Sequence, residues 1–141
     1  MTRIGFYILR APEPHAFVCR LCQQLTRRGQ RVYVHAADEL QVQHIDEALW
    51  TERPESFIPH DVLGTSEDAQ TLVLIGHAEP PEHQAEILIN LAPEVPLFFS
   101  RFERVAEIIP SNDSMKAAGR KRFQFYRDRG YQLDTYQDVD G

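Results

Sequence analysis

The sequence lacks any apolar run long enough to cross a membrane. Its longest apolar stretches, "TLVLIG" at residues 71–76 and "ILINLAPEVPLFF" at residues 87–99, are short or are interrupted by proline and glutamate. A membrane-spanning helix needs about 20 apolar residues. The N-terminal "MTRIGFYIL" leads directly into a strand-like run and has no small-residue cleavage site of the kind that ends a signal peptide. We therefore expect a protein of the cytoplasm that does not bind membranes.

Cysteine is scarce, and the two cysteines, Cys19 and Cys22, have a Cys-x-x-Cys spacing. Such a pair can be half of a zinc site or a redox pair. No second pair is present to complete a four-thiolate site, and Cys22 falls on the apolar stripe of a predicted helix, away from the N-terminus where the helix dipole would lower a thiol pKa. The pattern favours thiols in the core, with no metal bound.

A glycine-rich phosphate loop is also missing. The turn after the first predicted strand reads "RAPEPH", with two prolines and no glycine, although Asp38 lies where a ribose-binding carboxylate would stand. Pyrophosphate binding needs free backbone amides at that turn and close approach of the backbone to the phosphates. Proline has no amide hydrogen, and its ring prevents the close approach. We expect no nucleotide and no other cofactor.

Net positive charge is absent as well. The chain has 15 Lys and Arg against 21 Asp and Glu, a net charge of −6, which disfavours a broad duplex-binding surface. No nucleophile motif such as Gly-x-Ser-x-Gly occurs either. His60 and Asp61 could serve a catalytic or metal role, but a surface turn explains them as well, and we expect no enzyme.

Strand-like and helical patterns alternate along the chain. This alternation is typical of a three-layer α/β/α domain with a largely parallel central sheet, and one such domain accounts for residues 1–141. The irregular segment 51–70 is expected to be a loop with a short strand at residues 57–58. Helices are predicted at residues 13–28, 38–50 and 113–129, and strands at residues 3–9, 31–36, 71–76, 86–91, 104–109 and 131–136.

The last predicted helix carries a basic island in an acidic chain. We expect Asp113 or Ser114 to cap it and Gly130 to end it. Stepping 100° per residue groups four side chains in one stripe and leaves another face for the core. The stripe consists of Lys116, Arg120, Phe123 and Arg127, and the core face of Met115, Ala118 and Tyr126. Such a stripe suits stacked single-stranded bases, an acidic peptide with an apolar end, or a merely solvated face.

A second feature is "DEALWTERPESFIPH", residues 46–60. Trp50, the single tryptophan, ends a helix, and Phe57 follows in a loop bounded by prolines. Either the two aromatics close the end of the core, or they form a protein-contact patch, where such side chains supply much of the binding energy.

Several of these stretches resemble the chi subunit family of bacterial DNA polymerase III. The similarity rests on "FYIL" at residues 6–9, "GQRVYVHAAD" at 29–38, "DEALWTERPESFIPHDVLG" at 46–64 and the C-terminal "DSMKAAGRKRFQFYRDRGYQL". It implies a non-catalytic accessory subunit of the clamp-loader complex, with a fold similar to nucleotide-binding domains. Nucleic acid contact would be mainly indirect.

The resemblance also implies partners and sites. The acidic, phenylalanine-ended tail of single-stranded DNA-binding protein would bind Arg120 and Phe123, with Lys116 and Ile109 bordering the site. Gln124 stands where the family has a basic residue, for which Lys121 or Arg127 could compensate. The psi subunit would bind a surface that includes Trp50 and Phe57, and a helicase is a further partner implied there.

Overall fold

A computed structural model describes residues 1–51, 58–65 and 70–139. Within these ranges the chain forms three α-helices and a seven-stranded parallel sheet. The helices are α1 (His15–Arg27), α2 (Glu39–Thr51) and α3 (Asp113–Asp128). The strands are β1 (Arg3–Leu9), β2 (Val32–His35), β3 (His60–Val62), β4 (Val73–Gly76), β5 (Ile87–Asn90), β6 (Arg104–Ile109) and β7 (Leu133–Val139).

The strand order is β3-β4-β2-β5-β6-β1-β7, so the first and last strands of the chain are neighbours. Phe6 of β1 lies opposite Thr135 of β7 on one side and Glu107 of β6 on the other. The predicted α/β class and parallel sheet are confirmed. Strand β7 forms one edge of the described sheet, and its pairing with β1 brings the two ends of the chain together.

The central strands are apolar on both faces because helices cover both. Val32 and Val34 belong to the apolar cluster that includes residues of α1 and α2, whereas Tyr33 between them belongs to the cluster that includes Tyr126 of α3. A strand buried in this way reads as a continuous apolar run rather than as an alternating one. The result is the expected three layers, with α1 and α2 on one side of the sheet and α3 on the other.

Glycines end two of the helices at the predicted positions. Gly29 after α1 has φ 74° and Gly130 after α3 has φ 77°, a left-handed conformation that glycine adopts without steric cost. After α3, the amide of Tyr131 donates to the Tyr126 carbonyl at 3.1 Å. This bond fixes the turn from α3 into β7.

Two local predictions are wrong. The strand of the irregular segment lies at His60–Val62, not at residues 57–58: Ile58 is outside any strand, and Phe57 lies outside the described residues. The N-cap of α3 is Asn112, whose side chain accepts from the Met115 amide at 2.8 Å. Asn112 has the extended backbone of a cap, whereas Asp113 is already helical.

The described helices include none that is long and apolar enough to span a bilayer.

Candidate functional site

Gly119 is a buried residue of α3, and it lies where the helix packs closely on β6. A Cβ built at this position would lie 2.7 Å from Cδ1 of Ile109, nearer than real Cβ contacts come. The missing side chain therefore lets the helix settle onto the end of β6. Ile109 is thereby held beside the residues on the flank of α3.

A buried ion pair fixes the rotation of α3. Arg122 Nε donates to Glu107 Oε1 at 2.9 Å, and the two side chains are 2% and 0% exposed. Asn90 and Tyr126 also donate to the Glu107 carboxylate, at 2.9 and 2.7 Å. Arg122 Nη1 donates to the Pro93 carbonyl at 2.8 Å. Helix α3 and strands β5 and β6 are therefore joined through one carboxylate, and Arg122 connects the loop after β5 to the same network.

Burial raises the pKa of Glu107, and the Arg122 guanidinium opposes this shift together with the hydrogen bonds from Tyr126, Asn90 and Arg122. All three hydrogen-bonding partners are donors, which is the arrangement that an ionised carboxylate requires. Burial and the neighbouring carboxylate raise the pKa of Tyr126 far above its ordinary value, so this hydroxyl stays a donor. The network is consistent with a charged pair held inside the protein.

With α3 fixed in this way, a cleft of about 370 Å³ remains between the helix and strands β1 and β7. We call it the α3 cleft. Apolar side chains of β1, β6 and α3 form its floor and one wall, and two exposed cations of α3 and two exposed polar side chains of β7 line its mouth. Its lining residues are Phe6, Ile8, Ile109, Lys116, Gly119, Arg120, Phe123, Thr135 and Gln137.

The α3 cleft contains all four residues that the family resemblance implies for tail binding: Lys116, Arg120, Phe123 and Ile109. Lys116 and Arg120 are exposed and lie one helical turn apart. The half-buried Phe123 ring meets Phe6 edge to face, with centroids 5.3 Å apart. An apolar floor with two cations at its mouth can take a ligand that is apolar at one end and anionic beside it.

Other members of the basic island lie elsewhere. Arg127 is exposed near Asp128, 3.9 Å away, and like Lys121 and Gln124 it is absent from the described lining of the α3 cleft. Arg122, which the sequence groups with the basic island, is buried in the core. A count of charged residues cannot show this burial. Of the predicted core face, Tyr126 is buried, whereas Met115 and Ala118 are only half-buried.

Five cleft residues were not predicted from the sequence: Gly119 on α3, the pair Phe6 and Ile8 on β1, and the pair Thr135 and Gln137 on β7. Each pair alternates along its strand, which indicates a shared face. The missing information was the pairing of β1 with β7, which joins residues from opposite ends of the chain.

The second predicted surface is described only in part. Trp50, near the end of α2, is 57% exposed, and its ring meets His60 edge-on with centroids 5.6 Å apart. The other predicted contact residue, Phe57, lies outside the described residues. Trp50 therefore does not fill the core, and a large aromatic side chain faces solvent there.

His60 has a structural explanation. Its Nδ1 is 2.8 Å from the Ile58 carbonyl, and its Nε2 is 2.7 Å from Asp46 Oδ1 on α2. Both ring nitrogens are engaged by the protein, so neither is open to a metal. In the described ranges, no group of three or more His, Cys, Asp or Glu side chains is arranged to hold a metal ion.

Asp38 and the cysteines also have structural roles. Asp38 Oδ1 accepts from the Gln41 amide at 2.9 Å, and Gln41 Oε1 accepts from the Ala37 amide at 2.7 Å, a reciprocal cap of α2. Cys19 and Cys22 are buried as predicted, and burial raises the pKa of the Cys22 thiol strongly. A raised pKa disfavours the reactive thiolate.

A family model matches almost the whole chain. The model is described as "DNA polymerase III chi subunit, HolC", and it covers residues 1–134. The chain belongs to this family. The chi resemblance noted in the sequence is thereby confirmed.

Curated chi subunits from three bacteria are similar in sequence. The DNA polymerase III subunit chi of Pseudomonas aeruginosa is 41% identical over 140 residues, 97% of each chain. That of Escherichia coli K12 is 34% identical over 84% of this chain and 81% of its own. That of Haemophilus influenzae is 31% identical over 83% of this chain and 82% of its own. The similarity therefore extends over most of each chi chain.

Among solved structures, T4 UvsW has a similar fold. The TM-score is 0.72 over 99% of this chain and 42% of that chain, at 9% sequence identity. At this identity the likeness concerns the fold alone, and it carries no function from UvsW to chi.

Proposed function

We propose that this protein is a non-catalytic accessory subunit of the DNA polymerase III clamp-loader complex and that it acts in the cytoplasm. In this role it binds the psi subunit through the Trp50 surface and the acidic tail of single-stranded DNA-binding protein through the α3 cleft. The observation that carries the second part is the meeting of Lys116, Arg120, Phe123 and Ile109 in one cleft. The polymerase would thus be linked to coated single-stranded template.

The chemistry of the α3 cleft matches such a tail. Phe6, Ile8 and Ile109 offer an apolar bed for a terminal phenylalanine ring, and Phe123 can meet that ring edge to face. Arg120 can bind the terminal carboxylate through two parallel N–H bonds. Lys116, one turn away, adds attraction for the acidic residues upstream. A ligand that lacks either the ring or the carboxylates would satisfy only half of the site.

Modest affinity suits this role. One ring and a few exposed ion pairs should give a Kd on the order of micromolar, with a marked salt dependence. Many tails on one coated strand supply avidity, so the linkage is strong while each contact exchanges quickly.

The alternative function, direct binding of single-stranded nucleic acid by α3, is weakened by Arg122. This arginine is committed to Glu107 inside the core, so the helix presents fewer cations than its sequence indicates. The remaining exposed cations lie on an acidic protein with a net charge of −6. A local acidic-peptide site needs only the two cations at the mouth of the cleft.

Tail binding can be tested by fluorescence anisotropy with a labelled acidic peptide that ends in phenylalanine. Arg120→Ala should weaken binding at least about fivefold, since it removes a charge-assisted bidentate contact. Lys121→Ala, which removes the same charge from the same helix outside the cleft, should bind as wild type does. Deleting the terminal phenylalanine should abolish binding. Equal effects of Arg120→Ala and Lys121→Ala would remove the α3 cleft from the proposal.

Psi binding is tested separately by co-purification. Trp50→Ala should lose psi, because a large exposed aromatic is the kind of side chain that dominates an interface. Leu40→Ala, at the other end of α2 and similarly exposed, serves as the control. Retention of psi by Trp50→Ala would exclude this surface, and the same preparation shows whether a helicase depends on Trp50.

A further inference from the structure

The sheet face opposite the α3 cleft carries two arginines side by side. Arg3 begins β1 and Arg104 begins β6, and they are partners in the parallel register. Both are exposed, and both line one small cavity of about 40 Å³. Like charges directly across a ladder destabilise a sheet. Within the described residues, neither arginine forms an ion pair with a carboxylate. Asp134 of β7, the register partner of Gly5, lines the same cavity, so two cations and one anion meet there.

Stacked tyrosines lie beside these arginines. Tyr7 of β1 and Tyr136 of β7 are register partners, with ring centroids 4.8 Å apart and planes inclined by 23°. Tyr136 is 45% exposed, so part of its ring is open to solvent. Tyr7 and Arg104 line the same cavity, which places the aromatic pair beside the cationic pair. We call the surface formed by Arg3, Arg104, Tyr7 and Tyr136 the arginine–tyrosine face.

Small residues open this surface. Gly5 lies between Arg3 and Tyr7 on the same face and opposite Ala106, and both line the cavity. A Cβ at Gly5 would contact the rings of Tyr7 and Tyr136 at 3.4 and 3.6 Å. The cavity has room for a few water molecules at most. A larger ligand must therefore lie on the face, against the exposed ring and the guanidinium groups.

We propose that the arginine–tyrosine face binds single-stranded DNA, with Arg3 and Arg104 holding a backbone phosphate and Tyr136 stacking on a base. The two guanidinium groups outnumber the Asp134 carboxylate beside them, and arginine binds a phosphate in bidentate fashion. An exposed aromatic ring beside the cations suits a nucleotide, whose base is attached close to its phosphate. An acidic peptide would use the arginines but would leave the ring of Tyr136 unused.

This proposal does not depend on the α3 cleft. The two surfaces lie on opposite faces of strands β1 and β7, and they share no side chain. Variants can therefore remove one function and leave the other. Failure of tail binding would not affect the DNA proposal, and the reverse also holds.

The test uses a fluorescently labelled oligo(dT) of about 15 nucleotides and the full chain at low salt. Arg104→Ala and Tyr136→Ala should each weaken binding at least about fivefold, as expected for the loss of a phosphate contact or a stacked base. Arg104→Ala should also reduce the slope of log K against log salt by about 0.7. Tyr136→Phe keeps the ring and should bind as wild type does, which separates stacking from a loss of folding.

Two control variants on α3 complete the design. Lys121→Ala removes one exposed charge, and Arg120→Ala removes the tail contact, and both should bind oligo(dT) normally. Free dTMP at the same nucleotide concentration should fail to displace the strand. The proposal is overturned if Arg104→Ala and Tyr136→Ala bind as wild type does, if Arg120→Ala abolishes binding, or if dTMP competes equally well.

Discussion

At the scale of single residues, Glu107 and Arg122 are a buried ion pair, with side chains 0% and 2% exposed. Both charges are removed from water, and desolvation of this kind is repaid only when the geometry is good and the remaining polar atoms are satisfied. Three donors supply this for Glu107. One nitrogen of Arg122, Nη2, has no partner among the described residues. The pair therefore specifies the position of α3 more than it adds stability.

Glu107→Ala should lower the free energy of unfolding by about 3–5 kcal/mol, because Arg122 would remain buried without a counter-charge. Urea denaturation followed by circular dichroism measures the change. Glu103→Ala, an exposed position next to β6, should cost less than about 0.5 kcal/mol. Replacing both members, Glu107→Leu with Arg122→Met, should cost less than Glu107→Ala alone. A double variant as unstable as the single one would contradict this account.

His35 gives the stability a pH dependence. Burial, with a smaller effect of His77, lowers its pKa from the ordinary 6.5 to about 4. The unfolded chain binds a proton at His35 near pH 6.5, whereas the folded chain binds it only near pH 4. The stability that neutral His35 contributes to the fold is therefore fully present above pH 6.5 and is lost as the pH falls from 6.5 towards 4.

The histidine effect is measured by comparing urea unfolding at pH 7 and pH 5. Since His35 is partly exposed, we expect its share of the loss to be about 1 kcal/mol. Between pH 7 and pH 5, the His35→Gln variant should lose about 1 kcal/mol less unfolding free energy than the wild type loses. Equal losses in the two proteins would show that other groups control the pH dependence.

At the scale of elements, α3 shows what periodicity can and cannot predict. Its length, its terminating Gly130 and the shared stripe of Lys116, Arg120 and Phe123 follow from 3.6-residue geometry and glycine conformation. The burial of Arg122 does not, because a helical pattern treats arginine as a solvent-facing residue. Its partner Glu107 is in a strand whose position beside α3 depends on the tertiary fold.

The cap of α3 is a second case. Three consecutive residues, Asn112, Asp113 and Ser114, are all good N-caps, so composition alone could not choose between them. Asn112→Ala should cost about 1 kcal/mol of unfolding free energy through the loss of the bond to the Met115 amide. Ser114→Ala should stay within about 0.5 kcal/mol in the same thermal or urea titration. The reverse ranking would assign the cap to Ser114.

At the scale of the whole molecule, the order of the strands creates the candidate sites. The parallel class of the sheet was predictable from the alternation of elements, but the pairing of β1 with β7 was not, because no local pattern encodes contacts between the chain's two ends. That pairing places Thr135 beside Phe6 on one face and Tyr136 beside Tyr7 on the other. One strand pair thus supplies a wall of the α3 cleft and the stacked rings of the arginine–tyrosine face.

Because side chains alternate across a strand, ligands on these two faces should bind independently. A tail on one face and a strand of DNA on the other would be separated by the sheet, at a distance comparable to or beyond the Debye length of about 8 Å at physiological salt. Saturating oligo(dT) should therefore change the Kd of the labelled tail peptide less than about twofold. Titrating the peptide with and without unlabelled oligo(dT) measures this coupling. Displacement of the peptide by the oligonucleotide would instead place both ligands in the α3 cleft and favour direct strand binding by α3.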